Sequence, residues 1–308
     1  MGSSSILRRD ENRILFKDSS GMIAQSIDVM VKSRPDATTL RSRQKLGKYR
    51  IEKRLAQGGF AHVYQAFDTI EGVHVALKMP HQANVTPHML DTFHREARLV
   101  AKLDHPNILP LKDASFIDGR FVITSKLGEQ TLSDRLRKRV SFIHAIDFVD
   151  QMIDAVAYAH RNKIIHCDIK PDNMIFLANG RLQLMDFGIA KVAHRTIVRT
   201  MVASGSGTIG FMAPEQAMGR PSARSDVFSL GLLMYKVLTG QLPEWPFDWP
   251  PAGYATLRRK AHPDMIEVIR RSLEMRPNKR YRDANEMLHV FRRVKPRSLR
   301  FAAQRASK

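Results

Sequence analysis

Apolar and polar residues alternate in short runs between residues 48 and 125, and this pattern predicts β-strands. The run 49–55 alternates roughly as a strand does, a glycine-containing turn and a second strand follow it, and 73–78 and 121–123 are further apolar runs. Between them, residues 87–103 repeat apolar side chains at helical spacing, after a proline that suits a first helical turn. The first part of the chain is therefore expected to be rich in strands and to contain one helix.

Helical spacing dominates the rest of the chain. Residues 141–162 place apolar side chains on one face, and a second apolar helix is predicted to open near residue 225 and to stop at Thr239-Gly240. Four prolines between residues 241 and 251 exclude regular structure there, and later helices follow. This part of the chain is expected to be mainly helical.

The two ends of the chain differ from this middle part. Residues 1–47 are rich in Ser, Arg and Thr and have weak periodicity, so we expect a mostly flexible extension with a short helix near 22–32. Residues 292–308 contain seven Lys or Arg and no acid. We interpret 295–308 as a basic tail, which is either solvated or in contact with anionic lipid or nucleic acid.

Composition narrows the class of protein. The 308 residues are 43% hydrophobic, which is enough for a packed core, and the net charge is +20. No apolar run approaches the roughly 18 residues that a membrane span needs, and the start lacks the apolar stretch of a secretory signal. Cys167 is the only cysteine, so no intrachain disulfide can form. Together these features favour a protein of the reducing cytoplasm.

A compact polar loop lies between two apolar runs in the stretch 164–176. It carries a carboxylate at Asp168, a cation at Lys170 and an amide at Asn173, and a second carboxylate follows at Asp186. A carboxylate can accept a proton, and an amide with a second carboxylate suits a hard cation, so the set fits phosphoryl transfer. Any one pair of these residues more often stabilises a turn than forms an active site. The whole series, in this order and at this spacing, is a strong indication of phosphoryl transfer.

This series resembles the catalytic loop and the Asp-Phe-Gly segment of protein kinases. Further motifs of that family occur before and after this series, in the order usual for the family. The resemblance therefore covers about residues 48 to 294. It implies an α+β fold with two lobes. The small N-lobe, about 48–125, is expected to hold an antiparallel sheet with one helix, and the larger C-lobe, about 126–294, to be mainly helical.

The nucleotide loop departs from the family pattern. Of the three glycines usual in the family only the middle one is kept, as Gly58, while Ala56 and Ala61 stand in the outer places. Taken alone, this stretch more often means a Gly-Gly hairpin turn. The resemblance implies that the loop still covers the nucleotide, with Thr124 as the gatekeeper beside adenine and 125–127 as the hinge. The residues expected to contact ATP are Leu55, Ala56, Gln57, Gly58, Gly59, Phe60, Ala61, His62, Val63, Ala76, Lys78, Thr124, Ser125, Leu127 and Ile175.

The resemblance also implies catalytic roles. Lys78, held by Glu96, is expected to place the α- and β-phosphates of ATP, and Lys170 to neutralise the γ-phosphate. Asp168 is expected to orient the acceptor hydroxyl and to accept its proton. The residues expected to bind Mg²⁺, or Mn²⁺ in its place, are Asn173 and Asp186.

Residues beyond the loop complete the resemblance. Asp226 is expected to bind the backbone of the catalytic loop, and Arg280 to pair with Glu215 in the Ala-Pro-Glu sequence that ends the activation segment. The residues expected to stack in the interior are Val100, His166 and Phe187.

Cys167 stands where most kinases of this resemblance carry an arginine. That arginine pairs with a phosphate on the activation segment and so orders the segment. Cysteine has no fixed cation, so phosphorylation of the segment is not expected to be required for basal activity by this route. The candidate acceptors are Thr196, Thr200, Ser204 and Ser206.

The function implied by the resemblance is that of a serine/threonine protein kinase with a role in signalling. Lys170 in the loop and Thr208 in the activation segment are typical of serine/threonine rather than tyrosine kinases. The implied partners are ATP, proteins that present Ser or Thr, and a second copy of the chain for autophosphorylation. The altered nucleotide loop leaves one alternative, a pseudokinase or scaffold that binds nucleotide weakly and acts through its basic tail.

Overall fold

The computed structural model describes residues 39–57, 61–81, 94, 97–98, 100–187 and 210–306. The chain divides into two units, Met1–Leu40 and Arg41–Lys308, and all the helices and strands below belong to the second. The helix predicted near 22–32, and most of the extension that contains it, lie outside the described residues.

Six antiparallel strands form the sheet of the N-lobe. Their bounds are β1 Lys45–Leu46, β2 Tyr49–Gln57, β3 Ala61–Asp68, β4 Val73–Pro80, β5 Leu111–Ile117 and β6 Arg120–Lys126. The order across the sheet is β1, β2, β3, β4, β6, β5. β1 pairs with β2 through Lys45 and Arg50, so the sheet begins slightly earlier in the chain than the predicted boundary at residue 48.

Strand register decides which side chains of this sheet face the same way. Val63 on β3 lies opposite Lys78 on β4, and Lys78 lies opposite Ile123 on β6. Directly paired residues of neighbouring strands project from the same face of a sheet. The three side chains therefore share one face, and their sequence neighbours face the other side.

The helix predicted at 87–103 is described at few positions. Those that are helical are His94, Ala97, Arg98 and Val100. Residues 82–93, 95–96 and 99 lie outside the described residues, and Glu96 is among them.

A small antiparallel sheet supports the polar loop. Its strands, in sheet order, are β7 Gln130–Thr131, β8 Met174–Phe176 and β9 Leu182–Leu184. A 3₁₀ turn at Pro171–Asn173 leads directly into β8, and β9 ends two residues before Asp186. The sheet thus brings the two carboxylate-bearing segments to one place.

Helices are the main regular elements in the rest of the described chain. Their bounds are α1 Leu132–Arg135, α2 Phe142–Arg161, α3 Pro214–Ala217, α4 Ala223–Thr239, α5 Tyr254–Lys260, α6 Pro263–Ser272 and α7 Ala284–Ala306. α2 and α4 confirm the two predicted helices, and residues 241–251 contain neither helix nor strand, as their prolines predict. None of the described helices is apolar over a length that would cross a bilayer.

α4 is the central helix of this lobe. It is buried on nearly every side between Ser225 and Leu238, as expected of a helix that is apolar all round. Gly231 allows α6 to approach closely, because a Cβ at this position would lie 2.7 Å from the Cβ of Ser272. The core therefore surrounds α4, and α4 provides a fixed base for the loop that follows α2.

The basic C-terminal segment is part of a helix, which corrects its interpretation as a solvated tail. α7 continues to Ala306 with Pro296 inside it. Ser298 is fully buried, Lys295 Nζ lies 2.6 Å from a carboxylate oxygen of Asp150, and Arg297 lies 3.0 Å from Asp264. Residues 295–301 therefore pack against the C-lobe.

Candidate active site

The polar loop starts where α2 ends. Lys163 has a left-handed backbone with φ 62°, its N–H donates to the carbonyl of His160, and the N–H of Ile164 donates to the carbonyl of Ala159. These two bonds form a Schellman motif, which stops the helix and turns the chain. The turn sends residues 164–173 towards the small sheet.

Asp226 of α4 fixes the loop from beneath, as the sequence predicts. Its buried carboxylate accepts hydrogen bonds from the backbone N–H of His166 at 2.7 Å and of Cys167 at 2.8 Å. It also lies 2.9 Å from Nε2 of His160, whose Nδ1 accepts from the N–H of Ala284. Because Nδ1 accepts a bond, a neutral His160 carries its proton on Nε2 and donates it to Asp226.

Asp168 is held by the two polar side chains that follow it. Its Oδ2 lies 2.8 Å from Nζ of Lys170 and 2.8 Å from Nδ2 of Asn173, which also donates to the backbone carbonyl of Asp168. Burial raises the pKa of Asp168, but the charge of Lys170 and the hydrogen bonds from Lys170 and Asn173 lower it by more, so its pKa lies below the usual value. Asp168 is therefore an oriented carboxylate at neutral pH.

Lys78 and Asp186 meet across the two lobes. Lys78 Nζ lies 2.8 Å from Oδ1 of Asp186, whose backbone is left-handed with φ 63°. The N–H of Met185 donates to the carbonyl of Asn173, which ties the approach to Asp186 to the polar loop. The predicted partner of Lys78, Glu96, lies outside the described residues, so that pairing stays a prediction.

A cleft of about 450 Å³ lies next to this ion pair. The predicted ligand-contacting residues that line it are Leu55, Ala56, Val63, Ala76, Lys78, Ser125, Leu127, Ile175 and Asp186. Asp172 and Met185 also line it and were not predicted. Asp172 lies between Lys170 and Asn173, so the spacing of the polar loop was the signal that could have found it.

The gatekeeper prediction is wrong by one residue. Ile123 lies opposite Lys78 and lines the cleft, whereas Thr124 faces the other side of the sheet, where its hydroxyl donates to Tyr49 Oη at 3.3 Å. Thr124 is fully buried there and does not line the cleft. The side chain beside the inner end of the cleft is therefore that of isoleucine.

Three further residues predicted to contact ATP do not line the cleft. His62 precedes the cleft-facing Val63, and its ring meets the ring of His81 edge-on at 4.2 Å, away from the cleft. Gln57 and Ala61 are also absent from the lining. Gly58, Gly59 and Phe60, which connect these two, lie outside the described residues.

Arg280 fixes the end of the activation segment, as predicted. Its guanidinium makes two bonds with the carboxylate of Glu215, at 2.7 and 3.1 Å, and lies 4.5 Å from the ring centre of Phe228. Arg280 is only 2% exposed, so this is a buried, bidentate ion pair. It holds α3, which follows directly on the segment. Residues 188–209, with the candidate phosphoacceptors, lie outside the described residues.

Comparison with known proteins identifies the family. Residues 49–292 match the family model of the protein kinase domain. The chain belongs to the protein kinase family. It is 31% identical over 265 residues to a probable serine/threonine-protein kinase of Clostridium acetobutylicum, covering 80% of this chain and 40% of that protein.

Two other bacterial kinases are similarly related. Serine/threonine-protein kinase PknA of Mycobacterium tuberculosis is 33% identical over 207 residues, covering 64% of this chain and 48% of PknA. PrkC of Bacillus subtilis is 34% identical over 204 residues, covering 64% of this chain and 31% of PrkC. The chain thus spans less than half the length of these curated relatives.

A solved structure supports the kinase fold. The kinase domain of M. tuberculosis PknI superposes with a TM-score of 0.63 at 23% identity, covering 83% of this chain and 99% of that domain. This likeness confirms the two-lobed α+β fold. In that fold His166 and Phe187 meet inside, with ring centres 4.8 Å apart, as predicted, and Val100 lines the cleft.

The residues of this chain fit the ATP and Mg²⁺ that the family generally uses. Leu55, Val63 and Ala76 give the cleft an apolar wall suited to a purine, and Lys78 places a cation at its inner end. Among the described residues, no three or more His, Cys, Asp or Glu lie close enough together to hold a metal ion. The predicted cation ligands, Asp186 and Asn173, offer a carboxylate and an amide, which are oxygen donors of the kind that Mg²⁺ accepts beside phosphate and water.

Proposed function

We propose that this chain is a serine/threonine protein kinase that transfers the γ-phosphate of ATP to Ser or Thr hydroxyls of proteins. The observation that carries the proposal is the Asp168 carboxylate, kept ionised by Lys170 and Asn173 at 2.8 Å each. The names of the relatives in Clostridium, Mycobacterium and Bacillus support the choice of Ser and Thr as acceptors.

Binding in this proposal is divided between the two lobes. The apolar wall formed by Leu55, Val63 and Ala76 takes the base from the N-lobe side, and Ile175 takes it from the C-lobe side. Lys78, next to Asp186, neutralises phosphate charge at the inner end of the cleft. The chain therefore positions the nucleotide, which is the main requirement of phosphoryl transfer.

Proton transfer in this proposal belongs to Asp168. Its lowered pKa makes it a carboxylate that orients the acceptor hydroxyl and takes its proton at neutral pH. Asn173 and Asp186 would hold Mg²⁺, or Mn²⁺, which when bound neutralises charge on the phosphate oxygens. Lys170 contributes a second cation beside Asp168, 2.8 Å from its Oδ2.

The test is phosphate transfer from labelled ATP to a generic protein substrate in the presence of magnesium. Asp168→Asn and Asp186→Asn should each lower the rate on the order of 10²-fold or more, because each removes a proton acceptor or a metal ligand. Asp147→Asn, an exposed carboxylate on α2, is the matched control and should keep the wild-type rate. Transfer by Asp186→Asn at the wild-type rate with saturating ATP would contradict the assignment.

The pseudokinase alternative predicts no transfer by the wild type in the same assay. Lys78, Asp168, Asn173 and Asp186 all stand in a connected arrangement, and none of these contacts favours that alternative. A cytoplasmic location, a role in signalling and self-association for autophosphorylation stay predictions from the sequence.

We also propose that α7 contacts the phosphates of a nucleic acid. Arg293, Arg297 and Arg300 are all exposed and follow the i, i+4, i+7 spacing that puts them along one stripe of the helix. None of the large exposed apolar side chains of the described chain lies on α7, so insertion into lipid is disfavoured. The stripe supports a contact through charge alone.

A further inference from the structure

The residue directly before the proposed catalytic carboxylate, Cys167, has an unusual backbone conformation. Cys167 is left-handed, with φ 67°, although it is not glycine. A non-glycine residue persists in this conformation only where its surroundings hold it, and such residues cluster at functional sites. Cys167 is also buried, at 4% exposure. The contacts that hold it are therefore informative.

Hydrogen bonds fix this residue at both of its ends. The N–H of Cys167 donates to Oδ1 of Asp226 at 2.8 Å. Its carbonyl accepts a bond of 2.6 Å from Nε2 of Gln216, and the N–H of the next residue, Asp168, donates to Nδ1 of His166 at 3.2 Å. The carbonyl partner can only accept, so the amide nitrogen of Gln216 must face it.

The last two bonds hold one rigid unit. The Cys167 carbonyl and the Asp168 N–H belong to the same planar peptide group. Because the carbonyl and the N–H are both hydrogen-bonded, the orientation of that plane is fixed. The direction in which the side chain of Asp168 leaves the backbone is then fixed as well. His166 is itself set for this, because with Nδ1 accepting, its neutral ring carries the proton on Nε2, 3.0 Å from the carbonyl of Met185.

Gln216 comes from a different part of the chain. It lies on α3, is 3% exposed, and follows Glu215, whose carboxylate is held by Arg280 and by the hydroxyl of Ser225 at 2.8 Å. α3 is thus fixed to the centre of the C-lobe, and it also follows directly on the activation segment. Any movement of α3 would be passed on to the peptide before Asp168.

We propose that Gln216 is a positioning residue for Asp168, acting through the carbonyl of Cys167. It links the end of the activation segment to the catalytic carboxylate with a neutral hydrogen bond, which needs neither an arginine at position 167 nor a phosphate on the segment. This inference rests on the proposed kinase function for its effect on rate. The hold on the loop itself rests on geometry alone.

The test replaces Gln216 by Met, which has similar length and no donor, and uses Gln183→Met as the matched control. Gln183 is likewise buried, at 7% exposure, and its side-chain amide donates to a backbone carbonyl, that of Pro106 at 2.9 Å, which does not belong to the polar loop. Gln216→Met should lower kcat about 10- to 100-fold, since small misplacements of a catalytic group are costly, with KM for ATP unchanged. Gln183→Met should leave kcat unchanged.

Hydrogen exchange of residues 165–170 supplies a readout that does not depend on activity. Gln216→Met should speed exchange at the Asp168 amide, and Gln183→Met should not. If the wild type transfers no phosphate, the kinase proposal fails, while faster exchange in Gln216→Met alone would still establish the hold on the loop. Equal exchange and equal kcat in the two variants would overturn the positioning role.

Gln216→Glu separates positioning from simple space filling. A protonated carboxyl can donate to the Cys167 carbonyl, whereas an ionised one cannot. The ratio of Gln216→Glu activity to wild-type activity should therefore rise as pH falls. A ratio that stays constant with pH would show that the side chain at 216 fills space only.

Discussion

The charge of Asp168 is set by opposing effects within a few ångströms. Burial raises the pKa of its carboxyl, and the charge of Lys170 with hydrogen bonds from Lys170 and Asn173 lowers it by more. The pKa of the folded state therefore lies below the unfolded value of about 3.9. Ionised Asp168 stabilises the fold above that unfolded value, and this contribution is lost as pH falls through the lower, folded pKa.

Lys170→Met should move the acid limb of the activity profile to higher pH. The variant removes the charge that outweighs burial, so the pKa of Asp168 rises and the carboxylate is protonated at a higher pH than in the wild type. The measurement is kcat against pH, and it compares the position of the acid limb rather than the height of the curve. Lys138→Met, at an exposed site after α1, is the control and should leave the limb in place. An unshifted limb in Lys170→Met would show that Lys170 does not set this pKa.

Ile123 and Thr124 should differ in their effect on ATP. Ile123→Ala enlarges the inner end of the cleft beside Lys78, so it should change KM for ATP and admit adenine analogues with larger substituents. Thr124→Ala should leave KM unchanged and lower the free energy of unfolding by about 1 kcal/mol, because it removes the buried bond to Tyr49. Steady-state kinetics and denaturant unfolding of both variants measure these effects. The opposite pattern would restore Thr124 as the gatekeeper.

The sequence predicted the positions of some side chains better than those of others. Asp226 and Arg280 were found because each belongs to a motif with fixed spacing. Thr124 and His62 were misplaced because side chains alternate across a strand, so an offset of one residue turns a side chain to the opposite face. The run 121–124 is buried at nearly every position and shows no polar alternation to mark its faces. Strand pairing, which the sequence does not show, determines the face of the sheet on which each of these side chains lies.

Among the elements, α7 departs most from what its sequence suggests. Its many cations and Pro296 favour a tail, since proline inside a helix costs about 3 kcal/mol. Tertiary contacts outweigh that cost. Arg292 reaches Asp150 and Asp154 on α2, and the ring of Phe301 meets that of His262 with centres 5.6 Å apart. Contacts with residues on other helices, distant in the sequence, thus decide that this segment packs as a helix.

Truncation after Val294 should therefore destabilise the fold rather than merely remove charge. It deletes the buried Ser298 and the half-buried Leu299 and Phe301, whose apolar burial contributes roughly 2 kcal/mol together. The expected fall in Tm is about 4–8 °C. Removal of residues 307–308 alone is the control and should not change Tm. An unchanged Tm after the longer truncation would return the segment to a solvated tail.

The whole molecule has a net charge of +20, but its cations differ in how far nearby carboxylates neutralise them. On α7, Arg292 and Lys295 face Asp150 and Asp154 of α2, so their charge is largely neutralised within the fold. Arg297 has Asp264 at 3.0 Å, and no ion pair within the described chain involves Arg293 or Arg300. Like charges along one helix stripe repel each other slightly, so binding an anion there would relieve a cost as well as gain attraction.

The stripe on α7 should make binding of double-stranded DNA depend on salt. A protein that neutralises phosphates releases counterions, and each contact contributes about 0.9 to the slope of log affinity against log salt concentration. Arg293→Glu with Arg300→Glu should therefore reduce that slope by up to about 2. Arg137→Glu with Lys138→Glu, two exposed cations elsewhere, is the matched control for net charge.

Substitution is the right test here because deletion of the segment would also remove buried contacts such as that of Ser298. A titration of a fluorescent duplex at several salt concentrations gives both affinity and slope, and equal Tm values show that the variants stay folded. If both double variants reduce the slope equally, only the total charge matters and the stripe is not a site. If wild-type chain binds anionic vesicles but not the duplex, the partner is lipid and the nucleic-acid proposal is wrong. A loss confined to the α7 variant on the duplex would mean that α7 both completes the core of the C-lobe and presents a separate binding surface.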